Sequence, residues 1–265
     1  MYASSASFRA LPVSGRVSAL CCQLAIIFAI IALSSTSWFI HKGDIKKVQL
    51  STGVMSATCG TIQVKYGLKW ATETGIISSY CAGTSADVTI YKSVKYTDPV
   101  CWENPPGSRP SGVSEDTGQR ACNLCHAAGS YATASLILVI LCEVATVYYQ
   151  IARAYKKHER FLYRSTTLSV ISVKFIILMM AIIGIVNYSR CILYSEMNNQ
   201  THDPIQYGDT IVWDVLGETE TTGTGWIVGI ISVIFFFFST TIMTLSYIPW
   251  KKQENYQNST NQELL

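Results

Sequence analysis

The hydrophobic pattern of the chain is dominated by four long apolar stretches. Residues 17–40 and 221–250 contain no charged side chain, and residues 127–152 and 165–189 contain one each. A helix that crosses the hydrocarbon layer of a bilayer needs roughly 20 mostly apolar residues, so each stretch is long enough to cross. The pattern therefore predicts an α-helical integral membrane protein, with four transmembrane helices in a left-handed bundle.

These stretches divide the chain into four spans, two large loops, one short loop and two tails. The predicted segments are a tail at 1–15, a span at 16–40, a large loop at 41–125, a span at 126–150, a short loop at 151–166, a span at 167–190, a second loop at 191–223, a span at 224–248 and a tail at 249–265. Any folded region outside the membrane must therefore come mainly from the large loop.

The large loop also carries a β pattern. Between residues 61 and 70, apolar side chains alternate with polar side chains and glycine, the period of a half-buried strand. Shorter β-prone runs occupy 45–50, 88–91 and 94–96. We therefore predict a small antiparallel β-sheet formed by the first large loop.

The distribution of charge predicts which loops face the cytoplasm. Charged residues make up 14% of the chain, against about 25% in soluble domains. The short loop 151–166 holds five basic residues and one acidic residue, and both tails also carry basic residues close to the spans. Because cytoplasmic loops are rich in Lys and Arg, we place both termini inside, both large loops outside, and the protein in the plasma membrane.

Six of the nine cysteines fall in or beside the segments assigned to the outside. They are Cys59, Cys81, Cys101, Cys122, Cys125 and Cys191. An even number of cysteines in an oxidising compartment predicts up to three disulfides, with 15 possible pairings. We expect Cys59 to pair with Cys81 and leave the pairing of the other four open.

Two charged residues lie away from the ends of the predicted spans, Glu143 in the second and Lys174 in the third. An unpaired charge at the centre of a membrane costs roughly 2.5–3.5 kcal/mol even on a permissive scale. The two residues are placed symmetrically about the basic loop, so an antiparallel helix pair brings them to the same depth. We therefore predict an intramembrane ion pair between Glu143 and Lys174, with a snorkelling lysine and a protonated glutamate as the alternative.

The segment Cys122-Asn123-Leu124-Cys125-His126 has the form of a covalent haem c attachment site. Three interpretations remain open. The cysteines can belong to structural disulfides, which we favour, or they can carry haem with His126 as an iron ligand. They can also form a redox-active thiol pair of a membrane oxidoreductase, which requires a reactive thiol of low pKa.

The architecture resembles that of the claudin, peripheral myelin protein and amastin group of four-span membrane proteins. The resemblance consists of the four spans, a β-rich first outer loop larger than the second, Trp38 just after the first span, and the run Gly67-Leu68-Lys69-Trp70 followed by a cysteine. Lys69 interrupts the Gly-Leu-Trp run of claudins, and Cys59 lies upstream of it. The resemblance implies an adhesion, barrier or scaffold protein without catalysis, while Trp38 and Trp70 also suit simple interfacial anchors.

Two further motifs concern modification and packing. Asn199-Gln200-Thr201 in the second outer loop is an acceptor site for N-glycosylation. Gly225 and Gly229 have the small-xxx-small spacing of close helix packing, either within one bundle or between copies of the chain.

The sequence thus predicts a non-enzymatic four-span protein of the cell surface that acts by contact with neighbours. The expected partners are the lipid bilayer and other membrane proteins, including a second copy through Gly225 and Gly229. The net charge of +3 is too small to indicate nucleic acid binding, and we expect no small-molecule substrate, cofactor or metal. The alternative is a membrane redox protein that uses Cys122 and Cys125.

Overall fold

The structure is a computed structural model of the chain. It describes residues 13–49, 55–82, 85–103, 115–155, 160–189, 191, 205–207 and 211–262. In chain order the elements are α1 (Val13–Ser34), β1 (Phe39–Gln49), β2 (Met55–Tyr66), β3 (Trp70–Ile77), α2 (Ser79–Ala82), β4 (Val88–Lys95), α3 (Pro99–Glu103), α4 (Glu115–Tyr155), α5 (Arg160–Tyr188), β5 (Ile205–Tyr207), β6 (Ile211–Thr222) and α6 (Thr224–Gln262).

Within the described residues, four helices contain a segment long and apolar enough to cross a membrane. These segments are Val13–Ser34, Cys122–Ala152, Thr166–Tyr188 and Thr224–Ser246. The four predicted helices that can cross a membrane are therefore present, which fits an integral membrane protein. Helices α4 and α6 extend beyond their predicted spans, because hydropathy reports the depth of the hydrocarbon layer and not the point at which helical hydrogen bonding ends.

The β-strands form one antiparallel sheet in the order β4-β3-β2-β1-β6-β5. The small antiparallel sheet predicted from the first large loop is present, but strands β5 and β6 come from the second loop, and β6 pairs with β1 along most of its length. The second loop was not predicted to contribute. Its β6 sequence mixes charged and apolar residues without the alternation that identified β2.

Two strand boundaries differ from the prediction. The predicted strand 61–70 divides into the end of β2 and the start of β3, because the chain turns at Gly67, whose N–H donates to the Trp70 carbonyl at 2.9 Å. The two short runs predicted at 88–91 and 94–96 fall in one strand, β4, which ends one residue before Tyr96. Of the predicted run 45–50, residues 45–49 form the end of the longer strand β1, and residue 50 lies outside the described residues.

The chain forms two compact units. The first, here called the bundle unit, contains Met1–Ile31, Ser135–Ile183 and Val228–Leu265. The second, the sheet unit, contains Ala32–Ala134 and Gly184–Ile227. Each unit has its own buried residues.

In the bundle unit, α1 buries small side chains and α4 buries larger ones. Ala25 and Ala29 are fully buried, as are Leu136 and Val139 of α4. Phe28 and Phe235 stack with their ring centroids 5.6 Å apart. Large apolar side chains such as Ile27 and Ile176 are exposed, as expected for helices that face lipid.

Candidate functional site

An ion pair lies at the centre of the bundle unit. Nζ of Lys174, on α5, lies 2.6 Å from Oε2 of Glu143, on α4, and neither side chain is accessible. These are the two charged residues that the sequence places away from the ends of the spans. Their pairing removes the cost of leaving either charge alone in the membrane.

Ser239 of α6 completes the site. Its hydroxyl donates to Oε1 of Glu143 at 2.7 Å and accepts from Nζ of Lys174 at 2.5 Å. Lys174 also lies over the ring of Phe236, with Nζ 4.9 Å from the ring centroid, in cation–π geometry. Both carboxylate oxygens of Glu143 thus have a donor, and three helices meet at one charge pair.

Helix α1 reaches the same cluster through a thiol. The Cys22 thiol donates to the Ser239 hydroxyl oxygen at 3.6 Å, and the Ser232 hydroxyl donates to the Ala25 carbonyl at 2.8 Å. Further along the bundle unit, the Gln150 amide donates to the Ser18 hydroxyl at 2.9 Å. Since a buried hydrogen-bonded group costs free energy when its partner is removed, this network favours one arrangement of all four helices.

Two disulfides join described side chains of the sheet unit. Cys101 pairs with Cys122, with their Cα atoms 6.3 Å apart, and Cys125 pairs with Cys191, with their Cα atoms 4.7 Å apart. Cys122 and Cys125 therefore bond to different partners, although they are three residues apart on α4. The bridges tie α4 to α3 and to the segment after α5.

The remaining cysteines divide by location. Cys59 is disulfide-bonded, but the side chain of Cys81 lies outside those described, so its pairing with Cys59 stays a prediction. The backbone suits that pairing, because the Ser78 N–H donates to the Cys59 carbonyl at 2.7 Å, immediately before α2. Of the described side chains, Cys21, Cys22 and Cys142 are free thiols, and all lie in the spans.

These bridges bear on the haem and redox interpretations. Both chemistries need the sulfurs of Cys122 and Cys125, and in the structure both are buried and occupied by disulfides to other cysteines. His126 is exposed, while the neighbouring Cys125 is buried. The geometry therefore favours the structural interpretation of the Cys-x-x-Cys-His segment.

Among the side chains of the sheet unit that the structure describes, Trp38 is the largest that is fully buried. Its indole N–H donates to the Ala32 carbonyl at 3.0 Å, and its ring meets Tyr188 edge-on, with centroids 5.0 Å apart. A Cβ added to Gly225 would overlap the Trp38 ring. The close packing predicted at Gly225 is thus an intramolecular contact with Trp38. Gly229 is likewise buried.

The turn at Gly67 is held by two phenols. The hydroxyls of Tyr96 and Tyr188 both donate to the Gly67 carbonyl, at 2.9 and 2.6 Å. Burial, followed by the neighbouring Tyr188 phenol, raises the pKa of Tyr96 well above its ordinary value, so it stays a protonated donor. Two buried donors on one carbonyl fix the turn firmly.

Leu68 and Trp70 flank this turn in different environments. Leu68 is buried, and its carbonyl oxygen occupies the space that a side chain at Gly129 of α4 would need. Trp70 begins β3 and is 45% exposed. Of the residues that carry the family resemblance, Trp38, Gly67 and Leu68 therefore belong to the core of the sheet unit, and Trp70 does not.

One face of the sheet unit is apolar and buried, and the other displays large side chains. His41, Val64 and Ala71 lie on the buried face. On the opposite face Tyr91 is 72% exposed and Ile76 is 53% exposed, together with Trp70. The pairing of Tyr91 with Thr74 places these three side chains on the same face.

Several residues of these sites were not predicted. Tyr96, Tyr188 and Gly129 give no signal in a single sequence, because tyrosine and glycine are common near or within spans. The depth of Ser239 relative to Lys174 was the one usable clue, since a polar residue at the level of a buried charge is a candidate partner. Asn199 lies outside the described residues, so its glycosylation stays a prediction.

Comparisons with known proteins do not assign this chain to a family. No protein-family model matches it, and no curated protein matches it. The likeness to the claudin, peripheral myelin protein and amastin group stays a prediction from the sequence.

Proposed function

We propose that this chain is a surface-membrane protein that acts through contact with neighbouring proteins, in adhesion, barrier formation or scaffolding. The observation that carries the proposal is the exposed face of the sheet. On β4, the end strand of the six-stranded sheet, and its neighbour β3, Ile76 lies diagonally next to Tyr91, and Trp70 lies further along β3 on the same face. Exposed apolar patches on a folded domain mark interaction sites.

The construction of the sheet unit supports this proposal. Disulfides at Cys101–Cys122 and Cys125–Cys191 and the buried turn at Gly67 give the sheet a covalently and sterically fixed base. A fixed surface loses little conformational entropy on binding, so a contact surface gains affinity from such cross-links. Cys122 and Cys125, which the redox alternative needs as thiols, are used in these cross-links.

The proposed topology places the sheet outside the cell. The basic loop 151–166 and the basic residues of both tails favour cytoplasmic termini. Disulfides persist in oxidising compartments, which agrees with an extracellular sheet unit. The claudin-like resemblance implies the same topology and a left-handed bundle, and it is part of the proposal.

A cell-mixing experiment tests the function. We expect non-adhesive cells that express the full-length chain to cluster with one another, and a Trp70→Ser/Tyr91→Ser double variant to cluster less at equal surface level. Thr61→Ala/Thr89→Ala is the matched control, because both threonines are exposed on the same face but add little apolar area. Clustering that equals that of untransfected cells, with normal surface delivery, would contradict the proposal.

A further inference from the structure

Strand β4 forms one edge of the sheet. It pairs with β3 on one side, and within the part of the chain that the structure describes no strand pairs with its other side. In an antiparallel ladder alternate residues point their N–H and C=O groups away from the neighbour, so β4 offers unpaired groups to a further strand. The strand is eight residues long and contains no proline, so each of its residues has a backbone N–H group.

The residue at the middle of the unpaired edge of β4 follows from where that edge begins and ends. The Lys95 carbonyl accepts the Asp98 N–H at 3.0 Å, so free backbone pairing ends at Val94. The remaining strand, residues 88–94, is centred on Tyr91, which is 72% exposed. A second copy of β4 laid antiparallel on this edge would place Tyr91 opposite itself and Val88 opposite Val94.

The charges at the two ends complement one another in this register. Asp87 lies immediately before β4 and Lys95 ends it. Both side chains are exposed, and Oδ1 of Asp87 also accepts the Ser79 N–H at 2.8 Å. When Tyr91 faces Tyr91, Asp87 of each copy lies opposite Lys95 of the other, which gives two opposite-charge pairs. Opposite charges directly across a pair of strands stabilise it, and like charges destabilise it.

Neighbouring registers lack this match. A shift that centres the pairing on Lys92 places two lysine side chains opposite each other, and a shift that centres it on Ile90 removes Asp87 from Lys95. If the register between the two copies shifts by a single residue, the exposed face of one copy and the buried face of the other lie on the same side of the joined sheet. Lys92 itself lies across from Glu73 on β3, so its charge is already partnered within the chain.

We propose that two copies of this chain pair through antiparallel β4 strands, with Tyr91 at the two-fold axis and Asp87 opposite Lys95 on each side. The occupant of the edge is thus a second copy. The pairing extends the sheet across both copies and joins the two exposed faces at Tyr91. It rests on the proposed contact function and specifies one contact through which that function operates.

Cysteine cross-linking of the full-length chain in nanodiscs or detergent tests the pairing. Tyr91→Cys places two thiols on directly opposed residues, with Cβ atoms about 5 Å apart, so mild oxidation yields a disulfide-linked dimer. The matched control is Thr74→Cys, the cross-strand neighbour of Tyr91 on the same face. Three inter-strand spacings of about 4.8 Å put its two copies roughly 14 Å apart, beyond disulfide reach.

A charge-exchange experiment tests the register. Asp87→Lys or Lys95→Glu alone creates two like-charge pairs, and we expect each to lower self-association by about three- to tenfold. Mixing the two variants restores opposite charges at both ends, so differently tagged Asp87→Lys and Lys95→Glu chains co-purify at the wild-type level. Misfolding cannot explain that recovery, because mixing changes neither chain.

The results separate this pairing from the proposed function. Equal cross-linking of Tyr91→Cys and Thr74→Cys, or no recovery on mixing, overturns the pairing even if expressing cells cluster. Selective cross-linking of Tyr91→Cys with recovery on mixing supports the pairing. If cells then fail to cluster at normal surface levels, the contact function fails while the pairing stands.

Discussion

Lys174 and Glu143 lie 2.6 Å apart through Nζ and Oε2, with both side chains fully buried, on helices that are joined by the basic loop. Their equal distance from that loop follows from the sequence, because residues at equal depth in an antiparallel hairpin are symmetric about its turn. The pair therefore fixes the register of α4 against α5. Loss of one member leaves the other charge buried without its counter-ion.

We predict that Glu143→Gln or Lys174→Met alone destabilises the protein by about 3–5 kcal/mol. The double variant Glu143→Gln/Lys174→Met recovers much of this loss, because it leaves no buried charge. Thermal unfolding in one detergent or nanodisc system measures all three variants. Val144→Leu, at an exposed position beside Glu143, is the control. Strictly additive losses in the double variant would mean that the two residues act independently.

Ser239 provides a second prediction on the same site. Ser239→Ala removes the donor to Glu143 and an acceptor of Lys174, so we expect a loss of about 1–3 kcal/mol. Thr241→Ala is a suitable control, since its hydroxyl donates to the Phe237 carbonyl of its own helix and is exposed. The loss at Ser239 should shrink in the Glu143→Gln/Lys174→Met background, and an unchanged loss would show that the hydroxyl does not serve the pair.

The disulfide pattern predicts which thiol each cysteine variant releases. Cys122→Ser should free Cys101, and Cys191→Ser should free Cys125, as read by alkylation and peptide mapping without reduction. Each variant should also lose about 2–5 kcal/mol of stability. Cys21→Ser is the control, because that cysteine is a free thiol. Release of Cys125 by Cys122→Ser would instead show a bond between the two and favour the redox alternative.

Glu73 gives a prediction about pH. Burial raises the pKa of the Glu73 carboxyl above its ordinary value, and the opposing Lys92 compensates only in part. A raised pKa means that the folded state favours the protonated carboxyl. The contribution of Glu73 to the stability of the folded state is therefore present at low pH and is lost as the pH rises through the folded pKa. We expect Glu73→Gln to raise the melting temperature at pH 7 relative to wild type, with a smaller gain near pH 4. A larger gain at pH 4 would contradict this sign.

Much of the membrane architecture could be predicted because hydrocarbon imposes simple rules. A span needs length and low charge, and a lone buried charge needs a partner, so the spans and the pair Glu143–Lys174 follow from the sequence. The sheet was predicted in part. The alternation of apolar and polar residues in β2 is visible within that segment. The pairing of β6 with β1 joins residues far apart in the chain, and no pattern within either segment identifies the partner.

The connections between elements escaped prediction for a related reason. Cys122 and Cys125 look like a pair because they are close in sequence, yet their partners Cys101 and Cys191 are brought near by the fold. The glycine spacing at Gly225 likewise indicates close packing without naming Trp38 as the neighbour. A single sequence shows which groups need partners, and the three-dimensional arrangement decides which partners they receive.

We propose that the sheet faces the outside of the cell, where it meets its neighbours, and N-glycan mapping tests this topology. Asn199 and Asn258 both lie in acceptor sequences, in segments that we assign to opposite sides of the membrane. Glycosidase treatment of wild type, Asn199→Gln and Asn258→Gln compares the two sites in intact cells. We predict a mobility shift in wild type that disappears in Asn199→Gln and persists in Asn258→Gln. A shift that disappears only in Asn258→Gln would invert the topology and place the sheet in the cytoplasm.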